Sequence, residues 1–164
     1  MATTNLSSYQ KDTLPDAKNM RIGIVVSEWN NEITDNLFKG CLETLAECGL
    51  REENIKIVRV PGSFELPIGA QLLLENVFCE AVICLGSVIK GETPHFDFVC
   101  STCANGIKDV AMRFSRPVIF GVLTDNNIEQ SRARSGGALG NKGIEAAITA
   151  IKMIGIKREL EDNF

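Results

Sequence analysis

Four short apolar runs alternate along the chain with stretches in which apolar residues recur every three or four positions. The first run is Arg21-Ile-Gly-Ile-Val-Val-Ser27. Its near-continuous apolar character fits a strand covered on both faces, as in parallel sheets. After a turn at Trp29-Asn30-Asn31, residues Ile33, Leu37, Cys41, Leu42, Leu45 and Cys48 recur at helical spacing, with Gly49 as the stop. Ile55 to Val60 reads as the second strand. Pro61-Gly62-Ser63 breaks it, and a helix runs from about Phe64 to Asn76, with Ser63 as candidate N-cap and Glu65 in the first turn. Ala81 to Val88 is the third strand. A helix from Pro94, a proline at the favoured first position, to about Phe114 follows it. Pro117 to Leu123 is the fourth strand. A short helix over Asn127 to Ala133, a glycine-rich loop from Ser135 to Asn141, a last helix from Lys142 to about Ile154 and a charged tail complete the chain.

This alternation predicts an α/β fold, a three-layer α/β/α sandwich with a parallel sheet between two helical layers and right-handed crossovers. Met1 to Met20 is polar and lacks apolar periodicity. It is expected to be a flexible arm unless something docks it. Residues 21–164 then form a single domain large enough for a sizeable core.

Composition narrows the function classes more than the fold. A formal net charge of −4 offers no basic field for a nucleic-acid backbone. No apolar run approaches the roughly 20 residues of a membrane helix. The N-terminus lacks the basic-then-apolar layout of a secretory signal, and a cytoplasmic protein is expected. The six cysteines read as small buried hydrophobes: Cys41 and Cys48 fall within one helical pattern and Cys84 inside a strand. Cys100-Ser-Thr-Cys103 is a C-x-x-C, open to a redox or half-zinc reading, but no second pair accompanies it. Two helical neighbours without a role is the simpler account. No metal-ligand spacing is present.

Parallel strands bring every strand-to-helix turn to one edge of the sheet, where ligands bind in open α/β folds. The turns at Ser27 to Asn30, Pro61 to Glu65, Ser87 to His95 and from Leu123 onward should therefore converge. The third lies in Gly86-Ser-Val-Ile-Lys-Gly-Glu-Thr-Pro-His-Phe-Asp-Phe98 and holds the only histidine of the chain. It joins a strand end to a helix start, whose free N–H groups favour anions. Each candidate has a plainer alternative. Trp29 is a stacking platform for a flat heterocycle, or a ring partly buried against the first helix. Glu65 accepts ligand hydroxyls, or complements the helix dipole. His95 exchanges a proton near neutral pH, or caps a helix. Arg132, Arg134 and Lys142 flank a glycine loop that is not a Walker A motif, and its glycines could serve close packing alone.

Taken together, these motifs resemble the 6,7-dimethyl-8-ribityllumazine synthase family of riboflavin biosynthesis. The resemblance covers Arg21 to about Ile156. It is carried by Trp29-Asn30, Pro61-Gly-Ser-Phe-Glu65, Gly91-Glu-Thr-Pro-His-Phe-Asp97, Phe120-Gly-Val-Leu-Thr124 and Gly140-Asn-Lys-Gly143, in this order and spacing. It implies a flavodoxin-like sheet of order 2-1-3-4. It also implies a transferase that condenses 5-amino-6-(D-ribitylamino)uracil with 3,4-dihydroxy-2-butanone 4-phosphate, releasing phosphate and water, with no metal or organic cofactor.

The resemblance assigns roles by position. His95 matches the proton-transfer residue. Trp29 takes the place of an aromatic, often Phe, that stacks on the pyrimidine, with Asn30 beside it. Ser63, Phe64 and Glu65 match the segment that holds the ribityl chain. Val88, Ile89 and Lys90 match the wall beside the heterocycle, and Gly91, Glu92 and Thr93 the turn near the phosphate. From a neighbouring subunit, Phe120 would close the pocket, Arg134 would bind phosphate and Lys142 would lie nearby.

The resemblance further implies a homopentamer, which either stands alone or, with no loop insertion to block it, assembles as a hollow 60-mer of pentamers. Riboflavin synthase would be a further partner, and the arm before Arg21 would add a strand to a neighbour's sheet. Rival readings fit less well. A flavodoxin-type binding module would want a Ser/Thr/Gly-rich phosphate loop where Ser27-Glu-Trp-Asn30 stands. A phospho-acceptor receiver would want Asp where Gly86-Ser87 stands. A purely structural shell protein would not need Glu65, His95, Arg134 and Lys142 in a cleft.

Overall fold

The computed structural model describes residues 7–163. Strands β1 (Ile22–Ser27), β2 (Ile55–Val60), β3 (Ala81–Ile89) and β4 (Val118–Asp125) form one parallel sheet in the expected order, β2-β1-β3-β4. In the middle of the sheet Ile24 pairs with Ile57 on one side and Ile83 on the other. Every residue of β1 is buried, whereas β2 lies at an edge and is largely accessible. This is why the first run is almost purely apolar while the second carries Lys56 and Arg59.

Successive strand residues point to opposite faces, so one buried run feeds two cores. Helices α1 (Asn31–Glu47) and α5 (Lys142–Asn163) cover one face, where Ile22, Ile24 and Val26 meet Ile33, Leu37 and Ile151. Helices α2 (Leu66–Asn76) and α3 (His95–Phe114) cover the other, where Val25, Val82 and Cys84 meet Leu66, Leu73 and Ile107. The three-layer sandwich follows. No helix among the described residues is long and apolar enough to cross a membrane.

The Gly140-Asn141-Lys142-Gly143 stretch has a packing role. A Cβ on Gly143 would stand 1.9 Å from the backbone oxygen of Leu37, so only glycine lets α5 start this close to α1. Asn141 ties the same two helices. Its Nδ2 donates to Asn36 O at 2.9 Å, and its Oδ1 accepts the Gly143 N–H at 2.8 Å.

The flexible arm expected up to Met20 is not what the structure shows for residues 7–20. Ala17 and Met20 are fully buried in the core under α1 and α5. Tyr9 Oη donates to Glu47 Oε2 at 2.9 Å, and Ser7 Oγ accepts the Asn141 N–H at 2.6 Å. Leu14, also packed against this core, Ala17 and Met20 are three apolar residues spread through a polar stretch, too few to mark a helix or a strand in the sequence. The first six residues of the expected arm lie outside the described residues.

Two elements also differ in extent. Helix α5 continues to Asn163, beyond Ile154, and carries the charged tail as a helix face. The glycine loop folds into a hairpin of β5 (Ser135–Gly137) and β6 (Gly140–Asn141), after the short helix α4 (Ile128–Arg134). All six cysteines are free thiols. Burial pushes Cys41 and Cys103 up to about 12 and raises Cys100 as well, and Cys100 and Cys103 stand as unbonded neighbours on α3.

Candidate functional site

The turns after β1, β2 and β3 open at the same sheet edge, around a cleft of about 460 Å³. The first turn supplies Trp29 and Asn30, and the second Ser63, Phe64 and Glu65. The end of β3 supplies Ser87, Val88 and Ile89, and the first turn of α3 supplies His95 and Val99. The convergence expected for three of the four turns is present.

Trp29 is held by its backbone and presented by its side chain. Its N–H donates to Pro61 O at 3.1 Å, and the Glu28 N–H donates to Val60 O at 2.8 Å. A Cβ on Gly62 would stand 2.9 Å from Trp29 Cε3, so the ring rests on bare backbone. The residue is 68% exposed, which rules out burial against α1 and leaves an aromatic surface on the cleft. Asn30 adopts the left-handed conformation at φ 58° and donates from Nδ2 to Ser87 O at 2.9 Å. This bond pins the first turn to the third.

The second turn corrects one expectation. Residues Ser63–Glu65 form a short 3-10 turn ahead of α2, and Ser63 caps nothing. Glu65 does that work by reaching back, its Oε2 accepting the Gly62 N–H at 3.0 Å. Ser63 is buried and its hydroxyl has no hydrogen-bond partner; the same is true of Ser87. Unpaired buried hydroxyls are costly and uncommon. Both residues line the cleft, with these hydroxyl oxygens just beneath its surface.

His95 is exposed on the rim at the first position of α3. Val99 and Ser87 were absent from the sequence candidates. Val99 lies four residues after His95, on the same helix face, and that spacing is the signal that could have found it. Ser87 sits inside the singled-out stretch, but its buried, unpaired hydroxyl is visible only in three dimensions.

Other candidates lie off this cleft. Lys90, Gly91, Glu92 and Thr93 form an exposed turn beyond its lining, with the Lys90 N–H donating to Asp125 O at 2.9 Å. Phe120 lies on the edge strand β4 and is 36% exposed. Arg134 and Lys142 converge on the Glu145 carboxylate, at 2.8 Å and 3.0 Å, and Arg134 Nη1 donates to Leu139 O at 2.7 Å. Arg132 forms a separate exposed pair with Glu32, at 2.7 and 3.0 Å. Its guanidinium lowers the Glu32 carboxyl below the usual range. Among the described residues, no group of three or more His, Cys, Asp or Glu side chains is placed to hold a metal ion.

A family model for 6,7-dimethyl-8-ribityllumazine synthase matches residues 19–158. Three curated proteins of that name are similar over nearly the whole chain. The one from Christiangramia forsetii is 55% identical over 97% of this chain and 96% of its own. The one from Flavobacterium johnsoniae is 54% identical over 97% of this chain and 85% of its own. The one from Parabacteroides distasonis is 52% identical over 94% of this chain and 98% of its own.

Proposed function

The chain belongs to the 6,7-dimethyl-8-ribityllumazine synthase family, and on that premise we propose how its cleft works. The protein is a transferase of riboflavin biosynthesis acting on small molecules. The reaction joins 5-amino-6-(D-ribitylamino)uracil to 3,4-dihydroxy-2-butanone 4-phosphate. The observation that carries the site assignment is the convergence, in one cleft, of an exposed aromatic, two unpaired buried hydroxyls, a fixed carboxylate and the chain's histidine.

Each feature suits one part of the substrates. The pyrimidinedione stacks on Trp29, with Val88 and Ile89 as its wall. The ribityl hydroxyls bond to Ser63, Ser87 and Glu65, whose carboxylate the Gly62 N–H already orients. Asn30 holds two of the turns at their working separation. The substrate amine attacks the ketone carbonyl, and loss of water gives an imine. Phosphate then leaves, and the ribityl-bearing nitrogen closes the second ring with loss of water. His95 relays protons in these steps, a contribution of roughly 10²–10⁴-fold. Orientation of two reactants in one cleft can supply up to ~7–11 kcal/mol.

The phosphate requires cations, and among the described residues no Lys or Arg lines this cleft. Arg134 and Lys142, with Phe120, lie elsewhere on the same chain. The reading that uses them is a homo-oligomer, a pentamer or a shell of pentamers, in which one subunit's cations and Phe120 meet the next subunit's cleft, near Gly91, Glu92 and Thr93. Riboflavin synthase, which consumes the lumazine product, is the proposed further partner, and the cytoplasm the proposed location.

A turnover assay with both purified substrates tests this reading. Lumazine fluorescence is followed and corrected for the uncatalysed condensation. The expected result is turnover in the wild type and a KM for the phosphorylated ketone raised at least about tenfold in Arg134→Ala, the loss of a charge-assisted contact. A folded oligomer with no rate above background would overturn it.

A further inference from the structure

The phosphate assignment leaves Glu145 unexplained. This carboxylate lies in the first turn of α5 and is only 12% exposed, yet it faces both proposed phosphate-binding cations. Lys142 Nζ donates to its Oε2 at 3.0 Å. Arg134 Nη2 stands 2.8 Å from its Oε1, without the alignment of a hydrogen bond. Arg134 is itself mostly buried at 18% exposure and is tethered by Leu139 O. The pair is therefore not a loose surface contact between mobile side chains, which would matter little. It is a built triad of two cations and one anion beside the hairpin of β5 and β6.

On the reading of Arg134 and Lys142 as the phosphate site, we propose that Glu145 is a positioning residue that also sets how tightly phosphate is held. Two effects follow from its place. It orients both cations before substrate arrives, so the ketone phosphate meets a formed site. It also lowers the local charge from two positive to one, which weakens the site's hold on a dianion. Phosphate is a leaving group here and has to depart after the chemistry. A site of two unopposed, half-buried cations would retain it. The triad trades affinity for release.

The test is inhibition of turnover by inorganic phosphate, measured at low ionic strength in the full-length assembled protein. Glu145→Gln keeps the shape and removes the charge. Its expected inhibition constant for phosphate is about three- to tenfold lower than the wild type's, with the difference shrinking as salt screens the site. Glu145→Asp keeps the charge on a shorter stem and should fall between the two. It decides the matter alone if the Gln variant does not assemble: a constant below the wild type's supports the inference, and one equal to or above it overturns it. An assembled Glu145→Gln with unchanged or weaker phosphate inhibition also overturns it. Arg134→Ala separates this from the reading beneath it. If Arg134→Ala raises the phosphate constant while the Glu145 variants leave it alone, only the role of Glu145 fails. If Arg134→Ala leaves it unchanged, the phosphate site and the inference fall together.

Discussion

His95 is the one imidazole of the cleft, and imidazole is the commonest general acid–base group, yet it sits exposed on the rim rather than buried at the floor. A group so placed can be replaced in part by water. His95→Ala is therefore expected to lower kcat by about 10²-fold, the low end of general acid–base contributions, while leaving KM for the pyrimidine substrate within about twofold. Single-turnover kinetics with saturating substrates check it. A folded variant with no activity above background would show that proton transfer, not orientation, supplies most of the rate. The neighbouring residues show how much a sequence discloses at this scale. Trp29, Asn30, Ser63, Phe64, Glu65, Val88 and Ile89 were legible as cleft residues because they flank strand ends, and the topology forces those ends together. The division of labour between Ser63 and Glu65 was not legible. Both residue types can cap a helix, and only the geometry shows that Glu65 accepts the Gly62 N–H while the Ser63 hydroxyl stays unpaired.

At the scale of elements, the strands and the helices that cover them follow from local pattern, because burial on two faces writes an unbroken apolar run and burial on one face writes a helical period. Segment 7–20 has neither. It stays on the domain through Ala17 and Met20, which fill the core beneath α1 and α5. Burying a side chain the size of Met contributes about 1.5–3 kcal/mol, which adds to the hydrogen bonds that Ser7, Tyr9 and Lys18 make with the domain. Met20→Ala should cost about 2–5 kcal/mol of unfolding free energy, since it removes the transfer term and leaves a cavity. Denaturant titration of the assembled protein checks it, and a loss below about 0.5 kcal/mol would mean the segment is an accessory to the fold rather than part of its core. The extension of α5 to Asn163 was hidden for a related reason. Its last turns are charged, with Lys157, Arg158, Glu159, Glu161 and Asp162, and its apolar positions Ile156 and Leu160 stay exposed rather than joining the core that the earlier turns fill.

At the scale of the whole molecule, the described subunit holds the two halves of the proposed site apart. The aromatic shelf, hydroxyls and His95 gather at one cleft, while Arg134 and Lys142 stand with Glu145 beside the hairpin. If neighbouring copies join these halves, two defective subunits can repair each other. His95→Ala subunits carry intact cations, and Arg134→Ala subunits carry an intact cleft. Dissociating and reassembling the two at equal amounts should create interfaces that pair an intact cleft with intact cations in about one case in four, for random heterologous assembly in a ring. Specific activity, assayed well below the wild-type KM for the phosphorylated ketone, should then rise to about a quarter of wild type, above either variant reassembled alone. The control is to place both substitutions on one chain and mix it with wild type at the same ratio. There, intact pairs again form at about one interface in four, so the activity should match that of the cross-complemented mixture rather than reach half of wild type. A mixture of single variants that stays at the mean of its components would place both halves within one subunit, and would require Arg134 to swing to its own cleft on binding. Activity in the double-variant mixture at half of wild type would point the same way, since each wild-type subunit would then work alone.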